Sequence, residues 1–185
     1  MNDRRAIRAS EKNIVLIGFM GVGKTTIGQL VAKTLSRDFI DIDQEIEKDF
    51  GMTIPEMFEQ KGEAFFRKTE KEYIMNICEN TTCKIVSLGG GSFQQEDIRK
   101  KCLESCIVIF LDVSWENWKQ RLHLLIENRP VLHNRTIDEM EQLFNERRSI
   151  YALHHSRVET DNREPEEVAE DIVDMLKVDW ELHQP

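Results

Sequence analysis

The chain has 185 residues, 40% of them hydrophobic, with 25 Lys and Arg against 34 Asp and Glu for a net charge of −9. That length suits one domain able to bury roughly 70% of its unfolded surface, so no disulfide or metal staple is needed. The hydrophobic share argues against a disordered chain, and the acidic balance argues against nucleic acid as a main partner, because phosphate backbones are bound by positive surface.

Arg4, Arg5 and Arg8 stand ahead of the apolar run Ile14 to Gly23 and imitate an export signal. Lys24 follows directly, with no small-residue cleavage site. No stretch nears the roughly 20 apolar residues of a membrane span. A strand entering a loop explains the run better, and a cytoplasmic protein without membrane contact is expected. Asn13 to Gly18 reads as a buried strand, and Ile27, Leu30, Val31 and Leu35 then recur at helical spacing. Asp38 to Asp43 reads as a second strand ending in carboxylates. Thr53 and Glu56 form a capping box that opens a short helix, with Pro55 in its first turn. A longer helix is predicted from about Glu63 to Cys78, a third strand over Lys84 to Leu88, and a fourth over Cys106 to Asp112. Ser114 is placed to cap a helix after the fourth strand, residues 127–137 read as a loop, and Thr136 with Glu139 caps a helix reaching Tyr151. Arg157 to Thr160 reads as a fifth strand, and Pro165 opens a last helix carrying Val168, Ile172, Val173 and Leu176. Strands alternating with helices predict an α/β domain with a parallel sheet covered on both faces.

Gly18-Phe-Met-Gly21-Val-Gly23-Lys24-Thr25 satisfies G-x-x-x-x-G-K-[ST] between a strand and an amphipathic helix. In such a loop the backbone N–H groups of Gly21, Val22 and Gly23 and the helix start at Lys24, Thr25 and Thr26 cradle phosphates. Lys24 would reach the β- and γ-phosphates of ATP, and the Thr25 hydroxyl would ligate Mg²⁺. A second metal-binding acid is sought at a strand end. Asp41 and Asp43, two apart on a predicted strand and so on one face, compete with Asp112, which also reads as a loop or cap residue.

Three features could form an acceptor site. Arg67 and Glu70 lie at i,i+3 on one helical face; Gly89, Gly90 and Gly91 follow a strand directly; Arg147 sits late in a helix. Taken singly, each also reads as ordinary structure: an exposed ion pair, a flexible turn, a cation at a helix C-terminus.

Together with Asp41-Ile-Asp43, Gly62-Glu-Ala-Phe-Phe-Arg67-x-x-Glu70, Arg129-Pro130 and Arg147-x-x-x-Tyr151, the phosphate loop and triple glycine occur in an order that resembles the shikimate kinases, nucleoside-monophosphate-kinase-like P-loop proteins. The resemblance runs from about Asn13 to Lys177. It implies a three-layer fold with a five-stranded parallel sheet in the order 2-3-1-4-5 and a mobile lid at about 121–137; residues 1–12, outside the match, read as an N-terminal extension and 178–185 as a disordered tail. It implies transfer of a phosphoryl group from ATP to the 3-hydroxyl of shikimate, in the route to aromatic amino acids, by a monomer.

By position, Asp43 would take the hydrogen bond of the reacting hydroxyl and act as base, and Asp41 would hold Mg²⁺ through water beside Thr25. Arg67 and Arg147 would bind the carboxylate, Glu70 would orient Arg67, and the backbone at Gly90 would meet substrate hydroxyls. Arg129 would close over ATP and stabilise charge on the transferred phosphoryl group. The family's adenine-contacting arginine is replaced by Leu122, with Arg121 one place earlier. Val131 stands where Leu is usual, and Arg163, in the segment resembling the adenine loop, is a further nucleotide-binding candidate. Another small-metabolite kinase such as a gluconate kinase, or a nucleotide-binding regulatory module without catalysis, are the competing readings.

The four cysteines lack C-x-x-C spacing and read as buried free thiols; His154 and His155 read as structural or solvated, and Trp115 and Trp118 as core. Residues 159–185 contain ten acids and two bases, so the negative charge is mostly C-terminal and leaves room for a cationic cleft.

Overall fold

The computed structural model describes residues 8–122, 132 and 135–182. Five strands form one parallel sheet in the order β2-β3-β1-β4-β5: β1 (Ile14–Ile17), β2 (Asp38–Asp41), β3 (Lys84–Ser87), β4 (Ile107–Asp112) and β5 (Ser156–Glu159). All four pairings are parallel, with Val15 opposite Val86 on one side and Val108 on the other. This is the predicted order. Every residue of β1 is buried, which requires helices on both faces of the sheet.

The helices among the described residues are α1 (Lys24–Leu35), α2 (Ile42–Phe50), α3 (Ile54–Lys61), α4 (Glu63–Asn80), α5 (Glu96–Ser105), α6 (Trp115–Gln120), α7 (Ile137–Tyr151) and α8 (Pro165–Leu182). Caps set their starts as expected. Thr53 and Thr136 each accept from the backbone N–H three residues on and are answered by Glu56 and Glu139, and Ser114 accepts from the Asn117 N–H.

Four expectations need correction. Asp43 is not on a strand: β2 ends at Asp41, whose side chain accepts from the Gln44 N–H and starts α2, so Asp43 lies in the first helical turn. Helix α5, absent from the sequence reading, connects β3 to β4. Of the expected disordered tail over 178–185, residues 178–182 are helical, with Trp180 packed against the core beneath Arg37, and 183–185 lie outside the described residues. Of the four free cysteines, Cys102 and Cys106 are buried, whereas Cys78 and Cys83 are only half-buried. At the other end, residues 8–12 are tied down, since Arg37 donates to Ser10 O and to Lys12 O (3.1 Å) and the Cys83 N–H donates to Glu11 O (2.9 Å).

Loops leaving the C-terminal ends of β1, β2 and β3 meet at one edge of the sheet, where open parallel sheets hold their ligands. Helix α7 brings its buried face, Met140, Phe144, Arg147 and Tyr151, to the same edge.

Candidate active site

The turn out of β1 can be made only by glycine. Gly18 has φ +149°, and a Cβ there would stand 2.5 Å from Leu111 O. Gly23, at φ +102°, then opens α1. Between them the chain wraps one end of a cleft of about 430 Å³ lined by Gly21, Gly23, Lys24, Thr25 and Thr26 together with Asp41 and Asp43. Lys24 is buried, its ammonium donating to Gly18 O (2.8 Å) and Phe19 O (3.1 Å). The N–H groups at the start of α1 and the helix dipole make this end of the cleft an anion site. Val22 is buried behind the loop, its N–H turned to Phe19 O at 3.3 Å, and does not line the cleft.

On the facing wall Thr25 Oγ1 donates to Asp41 Oδ2 at 2.6 Å. A hydroxyl and one carboxylate beside a phosphate site fit Mg²⁺, which completes its shell with water and phosphate oxygens and needs no all-protein cage. Among the described residues no cluster of three His, Cys, Asp or Glu could hold a metal by itself. Although Asp41 and Asp43 do not share a strand face, both carboxylates reach this cleft. Asp43 lies at its inner boundary, where a Cβ on Gly89 would stand 2.9 Å from Asp43 Oδ1.

Beyond Asp43 the cleft runs into a recess lined by Phe58, Phe66, Arg67, the triple glycine and Arg147. Arg67 is a quarter exposed and Glu70 fully buried. Arg67 Nη1 donates to Glu70 Oε2 (2.9 Å), and Glu70 also accepts from Ser92 Oγ and from Gln95 Nε2 (3.0 Å). The i,i+3 pair is therefore a fixed buried bracket for a guanidinium, not an exposed surface pair. Gly91 is packed under it, since any Cβ there would come within 2.7 Å of Arg67 Nη2. Arg147 is 7% exposed and takes part in none of the ion pairs among the described residues. Burial, reinforced by the like charges of Arg67 and Arg135, holds its guanidinium below the usual pKa. Two arginines thus face one small recess, whose lining also includes the carboxylates of Glu70 and Asp43.

Among the described residues, the other expected ones do not line the two compartments. Asp112 is buried at the end of β4 and pairs with Arg148 (2.7 Å) and Arg157 (3.0 Å), so its carboxylate neither caps a helix nor lines the cleft. Arg163 donates to Glu159 O and Glu167 O and pairs with Asp171 at 2.7 Å, away from the cleft. Arg121 Nη1 reaches Gly21 O at 3.5 Å, beside the half-buried Leu122. Arg129 and most of the expected lid lie outside the described residues. His155 Nδ1 accepts from the Val108 N–H and His154 contacts Tyr151 O, both structural roles.

Several contributors carry no motif. Ser92 and Gln95 complete the shell of Glu70. Ile54 and Phe58, one turn apart on α3, wall the acceptor side, and that i,i+4 apolar pair is the one local signal that could have found them. Met20 borders both compartments, and its carbonyl accepts from the indole N–H of fully buried Trp118 at 2.8 Å.

A family model described as shikimate kinase matches residues 20–177. A shikimate kinase of Bacillus subtilis (strain 168) is 72% identical over 185 residues, covering 100% of each chain. The chain belongs to the shikimate kinase family. A solved structure of shikimate kinase from Acinetobacter baumannii in complex with shikimate, 31% identical, superposes with a TM-score of 0.84 over 92% of this chain and 96% of that one. A gluconokinase from Sinorhizobium meliloti 1021 superposes at a TM-score of 0.57 over 95% of this chain and 96% of that one, but at 14% identity. That second likeness speaks for the fold alone. The family's ordered motifs fall on the two connected compartments, with the phosphate loop in the larger and Arg67, the triple glycine and Arg147 in the smaller.

Proposed function

We propose that this chain transfers the γ-phosphoryl group of ATP to the 3-hydroxyl of shikimate, with ATP on the phosphate loop and shikimate in the recess between α3, α4 and α7. The observation that carries the assignment is Arg147, a buried guanidinium with no ion-pair partner among the described residues, facing Arg67 across a recess that opens onto the phosphate site. Such a pair suits a planar carboxylate, which the Arg fork binds bidentately. The glycines alongside bring backbone within reach of a polyhydroxylated ring.

Chemistry is set by position. A hydroxyl held between Asp43 and the loop would attack the γ-phosphorus, the new O–P bond forming as the bond to the β-phosphate oxygen breaks. Asp43 would accept the hydroxyl proton. Lys24 would move its ammonium from the loop carbonyls to the β- and γ-phosphate oxygens, where developing charge is neutralised. Thr25 and, through water, Asp41 would hold Mg²⁺, which supplies charge neutralisation across the phosphates when bound. Arg129 would add a further cation from the loop. We also propose a single-domain, cytoplasmic monomer. Among the described residues no helix is long and apolar enough to cross a membrane.

The test is ADP release measured with shikimate, with gluconate and without acceptor. Shikimate alone should raise the rate, and Asp43→Asn should lower turnover by about 10²–10⁴-fold, the usual contribution of a positioned base. Release no faster with shikimate than without it refutes the assignment.

A further inference from the structure

Tyr151 is fully buried at the end of α7, its ring 5.4 Å from that of Phe110, and its hydroxyl donates to Gly90 O. One turn earlier on the same helix stands Arg147. The position a Cβ would take on Gly90 is 3.4 Å from Arg147 Nη1 and 3.3 Å from Met20 N, so α7, the triple glycine and the phosphate loop meet at this residue. A peptide unit is planar and trans, so its carbonyl and the next N–H point in opposite directions. Fixing Gly90 O on Tyr151 therefore turns the Gly91 N–H away from α7. Among the described residues the N–H groups of Gly90 and Gly91 make no hydrogen bond. Trp118 holds the other side of the same junction through Met20 O, at 2.8 Å.

We propose that Tyr151 is a positioning residue for the acceptor. Its hydroxyl anchors the Gly90–Gly91 peptide, so that the Gly91 N–H is presented to the bound substrate, while its helix carries the carboxylate-binding Arg147. Tyr151 does not touch substrate and takes no part in proton transfer. A phenol suits the task because it supplies one donor from inside the core. Burial pushes its ionisation well above the ordinary tyrosine range, so that donor is retained at any physiological pH. The inference rests on the reading of the recess as the shikimate site.

Tyr151→Phe deletes the donor and keeps the ring. It should raise the KM for shikimate roughly tenfold, the scale of one lost buried hydrogen bond. KM for ATP should stay within about twofold, since the phosphate loop keeps its own donors. KM does not depend on the fraction of enzyme folded, so a lowered Tm leaves the comparison intact. An unchanged shikimate KM, or equal rises for both substrates, overturns the proposal and leaves a structural tyrosine. Should the variant not accumulate, a second measurement decides. The chain has two tyrosines, and 3-fluorotyrosine in a Tyr73→Phe background gives a single ¹⁹F resonance at position 151. That resonance should shift on addition of shikimate without nucleotide, and a resonance that shikimate leaves in place overturns the proposal. A wild-type protein that neither binds nor phosphorylates shikimate removes the parent reading, a result distinct from either of these.

Discussion

Removing the Glu70 carboxylate should cost both stability and acceptor binding, in proportions the structure sets. Glu70→Ala deletes a fully buried anion that accepts from Arg67, Ser92 and Gln95. Breaking a buried pair by removing one partner typically costs about 3–5 kcal/mol. Here the lower end applies. Arg67 is a quarter exposed, still has Glu63 at 3.3 Å and lies over the Phe66 ring at 5.2 Å, and Ser92 keeps a second acceptor in Gly89 O at 3.0 Å. About 3 kcal/mol, at roughly 2–4 °C per kcal/mol for a chain of this size, lowers Tm by about 6–12 °C. A freed Arg67 must then be ordered by the substrate itself, which raises the shikimate KM by about tenfold or more for a charge-assisted bond of about 1.5–3 kcal/mol. Deleting a negative charge also favours an anionic ligand, but the Arg67 guanidinium, 2.9 Å away, already neutralises that charge. Glu70→Gln keeps the shape and one acceptor oxygen, so it should fall between wild type and Ala. Calorimetry and substrate-resolved kinetics check all three proteins. A Glu70→Ala enzyme with wild-type shikimate KM, or a Gln variant that binds shikimate more tightly, would refute the bracket argument.

Two further outcomes follow from groups outside the recess. Asp112→Asn should lower stability by about 1–3 kcal/mol, because it weakens two arginine contacts to a buried acceptor; a changed Mg²⁺ dependence would instead make Asp112 a metal acid. His155 is held below its ordinary pKa of 6.5 by desolvation, then by Lys12 and His154. The unfolded chain therefore takes up a proton near pH 6.5 that the folded chain resists, so this contribution is present above that pH and is lost as pH falls through the folded value. His155→Gln, which can still accept from the Val108 N–H, should flatten the decline of Tm between pH 7 and about 5.5. Identical Tm slopes for variant and wild type would remove His155 from the account.

The strands were legible because parallel strands buried on both faces are short continuous apolar runs, and Ile14–Ile17 and Ile107–Asp112 are such runs with turn residues on each side. Helix starts were legible where a capping box announced them. The alternation of Phe39, Ile40 and Ile42 with acids concealed α2, since the same letters read as a strand ending in Asp43, and only the Asp41 cap shows where the strand stops. Helix α5 buries just Ile98 and Cys102, one i,i+4 pair amid charged residues, too little periodicity to register. At the site, residues within motifs were legible, Glu70 and Tyr151 among them, but the distant partners they and Trp118 hold were not. Trp118 meets Met20 across 98 residues, Tyr151 meets Gly90 across 61, and Glu70 meets Ser92 across 22. Local spacing carries no trace of such pairs, because the sheet order alone brings them together.

The charge distribution ties these parts to function. A protein of net charge −9 must bring two anionic ligands into one cleft, and net charge alone would repel them. The excess acid lies on α8 and its flanks, against α1, whereas Lys24, Arg67 and Arg147 converge at the far ends of β1 and β3. Screening over about 8–10 Å at physiological salt makes nearby cations weigh more on a ligand in the recess than distant surface acids do. Arg147 sharpens the effect. It is desolvated and repelled by Arg67 and Arg135, costs that the nearby Glu70 carboxylate offsets only in part. A bound carboxylate relieves both costs at once. On the proposed placement, the substrate carboxylate would compensate the two like charges, which is how such a site would favour an anion.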